Sequence, residues 1–533
     1  MTISIIDIIN VNVYVSPSWS QSGLFGYLRL LPAREGIIQH MRSIFVFLFC
    51  SMILFAAVPV RAEPVGLGAV IRNVLERHPD IPLIRLKTEQ IRTDQQRIEG
   101  QLDPVLTVSL LVSDSQDPSN SKFNPIKSFT SQQIKAGISK PLANGGTLSL
   151  NLDYNRNLLE FQLDPTAFAR FDPFYHNQID LTYRQPLLRG AGRPAYHQEL
   201  TAVLADASAS HLQERVTART LSRKAIQLYF DIAVDEANRR LAADAEKRAS
   251  KLLKYQRNRE RFGLIEKADR LQAEALLATR RMDLANARGG LIQDTTALNR
   301  LMLRNITTPI TTRDKQRLDI PLPDLDDAMG GIDKRRPELL ALDSRLKAAE
   351  ARLEEVKDTD STQVDLVAQI GSRSLAGAPG TAIRQGFSLA DRFASIGVEI
   401  SDTVVNNAAK AAIRKAALER EQVLAERRQT IELIKDDLAN ILALIRTGRK
   451  TLAAAGSRVS AEQKKHQAEL VRYREGRSDT ATVIQFEGDL RAAEIEAALR
   501  RIALLRNQRQ LAWVQGSLFS DLGITFALGA GNE

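Results

Sequence analysis

Apolar positions in this chain follow a helical period, then a period of two, then a helical period again, and the whole order occurs twice. From Leu67 to Gln101, Val70, Ile71, Val74 and Leu75, then Ile81, Ile84, Ile91 and Ile98, stand at helical spacing, with His78, Pro79 and Asp80 as a break and a fresh helix start. Alternation follows in Leu106, Val108, Leu110 and Val112, in Ile134, Ala136 and Ile138, in Leu148, Leu150 and Leu152, and in Ile179, Leu181 and Tyr183. Asn144, Gly145 and Gly146 read as a hairpin turn between the second and third of these strands. A proline-free helical run then goes from Ala195 to Phe262, 68 residues, or about 100 Å at 1.5 Å per residue. Past Gly263 the pattern continues to about Leu303. There Leu264, Ala268, Leu271, Ala275, Ala278, Met282 and Ala285 alternate four and three apart, which predicts a coiled-coil seam whose alanines permit close approach.

The prolines and glycines between Asn305 and Pro337 mark a connector carrying at most a short helix. A second pass begins at Arg335-Arg336-Pro337-Glu338, an echo of Arg77 to Asp80, with a helix to about Asp358. Strands follow at Leu366, Ala368 and Ile370 and at Ala394, Ile396, Val398 and Ile400, separated by a loop around Gly377 to Gly380. A long helix from Thr403 to Arg474 and a return arm from Ser478 to Gln515 complete it. With Gly263 set on Gly476, six of the sixteen residues in 259–274 and 472–487 are identical. Two matched glycines in two very long helices predict an internal duplication in which each long helix turns back at a shared tip. The repeat offset is 258 at the first helix and 213 at the tip, so the first repeat holds about 45 additional residues, placed in its strand region. The expected organisation is a leader in 1–62, a first repeat in 63–303, a connector in 304–335, a second repeat in 336–516 and a tail in 517–533.

Composition changes the picture in three ways. Of the 533 residues 26% are charged and 5% aromatic, a balance that suits long packed helices better than an enzyme with a large aromatic core. Met41 and Arg42, the apolar run from Ile44 to Val58 and the small-residue pattern Val60-Arg61-Ala62 read as a secretory signal cleaved before Glu63, too short for a spanning helix. Residues 1–40 precede the natural-looking start. The single cysteine, Cys50, lies inside that leader with the bulky Phe49 before it, so the exported chain is expected to be free of cysteine, disulfides and lipid. Cleavage leaves a formal charge of +8, which on an exported protein argues against nucleic acid as a partner.

The strand region collects nine aromatics between Phe123 and Tyr183: Phe123, Phe129, Tyr154, Phe161, Phe168, Phe171, Phe174, Tyr175 and Tyr183. Strands with one apolar and one polar face, plus clustered aromatics, are the signature of a membrane β-barrel with interfacial girdles. Four to six strands per chain cannot close a barrel, and open strand edges are not tolerated in lipid, so this reading requires several chains to share one barrel.

These residues carry a resemblance. The chain resembles the TolC-like outer-membrane efflux proteins from Glu63 to about Gly516, on the tip motif Arg-x-x-x-Gly with Asp269 six residues after Gly263, on Leu271 to Glu274, on Gln185 to Gly190, on Pro321-Leu322-Pro323 leading to Arg336-Pro337-Glu338-Leu339, and on the duplication. The resemblance implies a mainly α fold with a membrane β-barrel part, a homotrimer with a shared barrel continued by an α-helical tunnel through the periplasm. It implies a passive exit duct in the outer membrane, served by a periplasmic adaptor and an inner-membrane transporter. At the tip, Arg261, Gly263, Leu264 and Asp269 of the first turn and Arg474, Gly476 and Arg477 of the second fall where adaptors dock. Some members place acids six and nine residues after the second glycine, narrowing the tunnel entrance; here those positions are Thr482 and Gln485, so an acidic ring is not expected there.

Both turns are surrounded by bases: Lys247, Arg248, Lys251, Lys254, Arg257, Arg259, Arg261, Lys267 and Arg270, then Lys464, Lys465, Arg472, Arg474 and Arg477. They are either a solvated face with helical partners such as Glu246 and Glu260, or a rim that meets an acidic adaptor. His78, His176, His197, His211 and His466 have no metal-ligand spacing, and there is no nucleophile elbow or phosphate loop, so no catalysis, cofactor or metal is expected. The other function open to this sequence is a periplasmic or secreted coiled-coil scaffold without a channel.

Overall fold

A computed structural model describes residues 64–116, 126–161, 173–313 and 318–524. The expected leader, and Phe123, Phe168 and Phe171 of the aromatic cluster, lie outside the described residues. The first repeat runs α1 (Leu67–Arg77), α2 (Asp80–Glu99), β1 (Val105–Ser115), β2 (Ile126–Pro141), β3 (Thr147–Phe161), β4 (Phe174–Pro186), α3 (Pro194–Arg261) and α4 (Lys267–Leu301). The connector holds α5 (Leu325–Met329) and α6 (Ile332–Arg335). The second repeat runs α7 (Pro337–Lys357), β5 (Gln363–Ala376), α8 (Pro379–Phe387), β6 (Asp391–Ser401), α9 (Asn407–Arg474) and α10 (Thr480–Gln515), followed by α11 (Leu518–Asp521).

The two halves match as a duplication predicts. α3 and α9 are each 68 residues long, and their return arms α4 and α10 have 35 and 36. The first half has four strands and the second two, so the hairpin β2–β3 accounts for the additional residues of the first repeat. Three local expectations are corrected. The connector has two short helices where at most one was expected, and Thr311–Thr312 within it pairs in parallel with Pro64–Val65. The loop around Gly377 to Gly380 opens into α8, because Pro379 at its first turn presets a helical φ. α9 starts at Asn407 and not Thr403, since Asn406 is left-handed, with φ of 43°.

All six strands form one antiparallel sheet in chain order, β1 to β6. Its register sorts the side chains onto two faces. One hydrogen-bonded row reads Leu106, Ile138, Leu150, Leu181, Ile370 and Ala394, apolar across every strand and exposed throughout. The opposite face is polar, with Gln133 donating to Asp153, Asn151 to Asp180, and Arg184 paired with Asp365 and Glu399. Tyr183 and Tyr175 lie on the apolar face eight residues apart along β4, with Tyr154 stacked on Tyr175 at 6.2 Å. Eight residues span about 26 Å, close to the height of an apolar membrane band before any tilt. Where that face turns polar, at Asn177 and Ser374, α8 covers it: both are buried, and Ser374 Oγ donates to the Ala382 carbonyl. Gly386 permits this contact, since a Cβ there would collide with Asn177 Nδ2.

The two largest clusters of buried apolar side chains lie where the two repeats meet. Leu67, Val70, Ile71 and Val74 of α1 pack on Leu221, Ile226, Tyr229 and Phe230 of α3 and on Leu298 and Met302, and Leu518 joins them. A second cluster joins Ala328, Ile332 and Leu339 to Ile434, Leu438, Ile441 and Ile445 of α9 and Leu504 and Leu511 of α10. Between them lies a buried ionic node. Arg219 and Arg336 both pair with Glu338, at 3.0 and 3.1 Å. Each also donates to the end of α10, Arg219 to Trp513 O at 2.8 Å and Arg336 to Val514 O at 2.6 Å. Those terminal carbonyls carry the negative end of the helix dipole, which offsets the second positive charge. Trp513 closes the node, its Nε1 donating to Arg219 O and its ring lying under both guanidinium groups.

Burial pushes the Glu338 carboxyl up, but Arg219 and Arg336 outweigh it and hold its pKa below the ordinary value. Its contribution is therefore complete above about pH 4.3 and is lost as pH falls from there through the lower folded value. Glu338→Gln leaves two buried cations facing a neutral group, and a loss of about 3–5 kcal/mol is expected. A urea titration measures it, and the variant should also lose part of the wild-type decline at acid pH.

Candidate functional site

The two turns at the free end of the long helices are built alike. At the end of α3, Gly263 N–H donates to Glu260 O at 2.9 Å and Leu264 N–H to Arg259 O at 2.9 Å. At the end of α9, Gly476 N–H donates to Tyr473 O at 3.1 Å and Arg477 N–H to Arg472 O at 2.9 Å. Both are Schellman caps, and Gly263 and Gly476 take the left-handed conformation, with φ of 72° and 75°. No atom stands within 4 Å of a Cβ added at either glycine, so what each glycine supplies is backbone conformation, not space for a neighbour.

The surfaces of the turns differ. The first is apolar at its apex, with Phe262 78% and Leu264 61% exposed. Arg261 is exposed and Asp269 half-buried in the first turn of α4. The second is charged, with Arg474 and Arg477 exposed and Arg477 paired to Glu475. Thr482 is half-buried, and its N–H caps α10 through the Asp479 carboxylate at 2.7 Å; Gln485 is exposed. The backbone N–H of Thr482 holds the Asp479 carboxyl below its ordinary pKa. Phe262 and Asp479 were missed in the sequence. Their signals were an aromatic directly before a cap glycine and an Asp three residues before a free N–H.

Many of the surrounding bases are already paired. Arg248 reaches Glu487 and Glu494, Arg270 reaches Glu260 and Glu274, Arg472 reaches Glu469, and Lys465 reaches Glu462 and Asp489. Among the described residues Lys251, Lys254, Arg261, Lys267, Lys464 and Arg474 form no ion pair, and they are the cations left for a rim.

The helix pairs are clasped to each other just behind the tip. Gln256 of α3 is fully buried and donates to Thr480 Oγ1 at 2.7 Å, and the Tyr473 hydroxyl shares that oxygen at 3.2 Å. Arg259 lies over the rings of Tyr255 and Tyr473, which meet edge to face at 5.9 Å. Further up, Arg280 of α4 donates to the buried Glu487 of α10 at 2.8 Å. A cavity of about 190 Å³ lies between, lined by Tyr255, Leu276, His466, Tyr473 and Glu487.

The expected seam of α4 is not a contact within this chain. Leu264, Ala268, Leu271, Ala275, Ala278, Met282 and Ala285 are all exposed, and the chain's own contact uses Ala273, Leu276, Leu277 and Arg280. α4 is held from one side by α3 and α10, so its four-three stripe is left facing outward.

No protein-family model and no curated protein sequence matches the chain. Solved structures do. The outer-membrane channel OprN is similar at a TM-score of 0.64 and 18% identity, covering 85% of this chain and 90% of that one. The Campylobacter jejuni outer-membrane channel CmeC follows at 0.61 and 13%, covering 85% and 86%. The open-state Neisseria gonorrhoeae outer-membrane channel MtrE stands at 0.56 and 19%, covering 85% and 89%. The chain therefore has the fold of the TolC-like outer-membrane channels, as its tip motif and duplication led one to expect.

Burial lowers the pKa of His466, against an opposing pull from Glu487, with Arg248 adding to the lowering. Stability is then undiminished above about pH 6.5 and falls as pH drops from there through the folded value, because the unfolded chain takes up a proton that the folded one refuses. His466→Gln should flatten this dependence, and melting temperatures between about pH 5 and pH 8 measure it. Gly263→Ala or Gly476→Ala should each cost about 1–2 kcal/mol through the left-handed backbone alone.

Proposed function

We propose that this protein is the outer-membrane exit duct of a tripartite efflux or type I secretion system, a homotrimer that passively conducts what an inner-membrane transporter and a periplasmic adaptor deliver. The observation that carries the reading is the sheet: six strands with a continuous exposed apolar face, a hydrogen-bonded polar face and two open edges, joined to helices about 100 Å long. Apolar residues outside and polar residues inside is the pattern of a barrel wall around water. A soluble scaffold would instead leave that face in water, far beyond the patch a soluble monomer shows.

The helices complete the reading. The outward stripe of α4 is the surface a second copy would cover, with alanines that let helices approach closely. The free end is the adaptor-docking tip, with Arg261, Gly263, Leu264 and Asp269 at an apolar turn and Arg474, Gly476 and Arg477 at a charged one. Thr482 and Gln485 lie at the tunnel entrance without carboxylates. The reading calls for no catalytic or cofactor chemistry, and no cluster of metal-ligating side chains occurs among the described residues.

Cell fractionation tests the duct: a detergent-extracted trimer from the outer membrane is expected, and a soluble monomer would overturn it. Docking is tested by surface-immobilised adaptor. Arg474→Glu should weaken binding several-fold at low salt and less at high salt, and more than Arg477→Glu, because Arg477 already has Glu475 as partner. Leu264→Ser should weaken binding without the salt dependence.

A further inference from the structure

The two edge strands of the sheet are uncovered on both faces. β1 and β6 each have eleven residues, and the side chains of both are exposed along almost the whole length. Six strands per chain is an even number, so β1 and β6 run in opposite directions and copies placed head to tail meet antiparallel. We propose that three copies close one eighteen-stranded barrel through a seam that pairs all of β1 with all of β6 of the next copy, Leu106 facing Ile400 and Asp114 facing Arg392. The inference rests on the trimeric duct proposed above and adds its strand number and register.

Three independent features select this register. It keeps the apolar face continuous, setting Val108 against Val398, Leu110 against Ile396 and Val112 against Ala394, whereas a slip of one residue would turn those side chains inward. It brings Asp114 and Arg392, the charged residues at the far ends of the two apolar stripes, directly opposite each other. It also leaves no backbone of either edge unpaired in lipid, as a slip of two would.

Closure geometry agrees. Within one chain the hydrogen-bonded row from Leu106 ends on Ala394, and across the seam Ala394 meets Val112, six residues further along β1. A climb of six residues per six strands equals strand number, as in an eight-stranded barrel of shear eight, and gives a tilt of about 36°, inside the range for membrane barrels. The sign is also right. Leu142 N–H donates to Gly146 O, so the apolar-face residues of β2 are those hydrogen-bonded to β3. For L-residues with that face outward, the strands run clockwise from β1 to β6, seen from the end where β1 finishes. In the right-handed coil of barrel strands a row travelling clockwise climbs toward that end, which is where Val112 lies.

Eighteen strands at this tilt enclose a ring about 34 Å across between backbones, against about 23 Å for a chain with two strands in each repeat. The hairpin β2–β3 is therefore what sets the width of the outer mouth, and the narrow point of the duct falls at the helical end.

Residues 51–533 contain no cysteine, which makes a cross-linking test direct. Leu111→Cys with Ser395→Cys should give a covalent trimer under mild oxidation. Leu111→Cys with Phe393→Cys or with Gly397→Cys, each two residues off and about 8 Å apart, should give at least roughly tenfold less. Asp114→Arg should lower the trimer's resistance to denaturing detergent, and adding Arg392→Asp should restore it. Offset pairs that link as well as the first, or an intact trimer that does not link, overturns the seam alone. A wild-type chain that stays monomeric and soluble overturns the duct, and the seam with it.

Discussion

Backbone hydrogen bonding in lipid is the constraint from which the other features follow. A strand edge facing hydrocarbon leaves a row of N–H and C=O groups with neither water nor a partner, at several kcal/mol each. The sheet has two unpaired edges, β1 and β6, and in the proposed outer-membrane duct both would lie in lipid. A single chain has no means of removing them, so a duct made from this fold is an assembly before it is a channel. The exposed stripe on α4 has a different cause, since a helix pairs its own backbone. It is apolar surface that this chain leaves uncovered and that a neighbouring copy would cover in the proposed trimer.

Below the sheet a different economy operates. The long arms carry little apolar volume, and alanine seams such as Ala242, Ala245 and Ala249 keep helices close without a thick core. Large side chains collect where the repeats cross, and there the Arg219, Glu338 and Arg336 node ties the first long helix to the start of the second repeat and the end of α10. Near the tip the clasp is polar again, through Gln256, Thr480, Arg280 and Glu487. Charged and hydrogen-bonded contacts between helix pairs fix register strongly while contributing little net stability, which suits elements that must hold one alignment over a great length.

Much of the candidate site was legible because it depends on local chemistry. Gly263 and Gly476 were readable as turns, since a left-handed residue between long helices favours glycine. Their surroundings were less so. The pairing of Arg248 with Glu487 joins residues 239 apart, and no helical spacing reveals it. The basic rim looked uniform in sequence, yet partners from other helices neutralise Arg248, Arg270 and Lys465 and leave Arg474 and Arg261 free. Phe262 and Leu264 gained meaning only when the turn was seen to carry them outward.

The sequence alone determined the order of the long helices and of the six sheet strands, the duplication, the additional hairpin of the first repeat and the two turns, but not α8 or the second connector helix. Each of these rests on a period of two or 3.6 residues, or on a glycine's backbone, and such signals act over a few neighbours. Tertiary structure decided which face of each element is covered. It turned the four-three stripe of α4 outward, set α8 over Asn177 and Ser374, and left β1 and β6 without partners. Coverage depends on what packs from elsewhere in the chain, and contacts such as Trp513 with Arg219, 294 residues apart, leave no trace in local pattern.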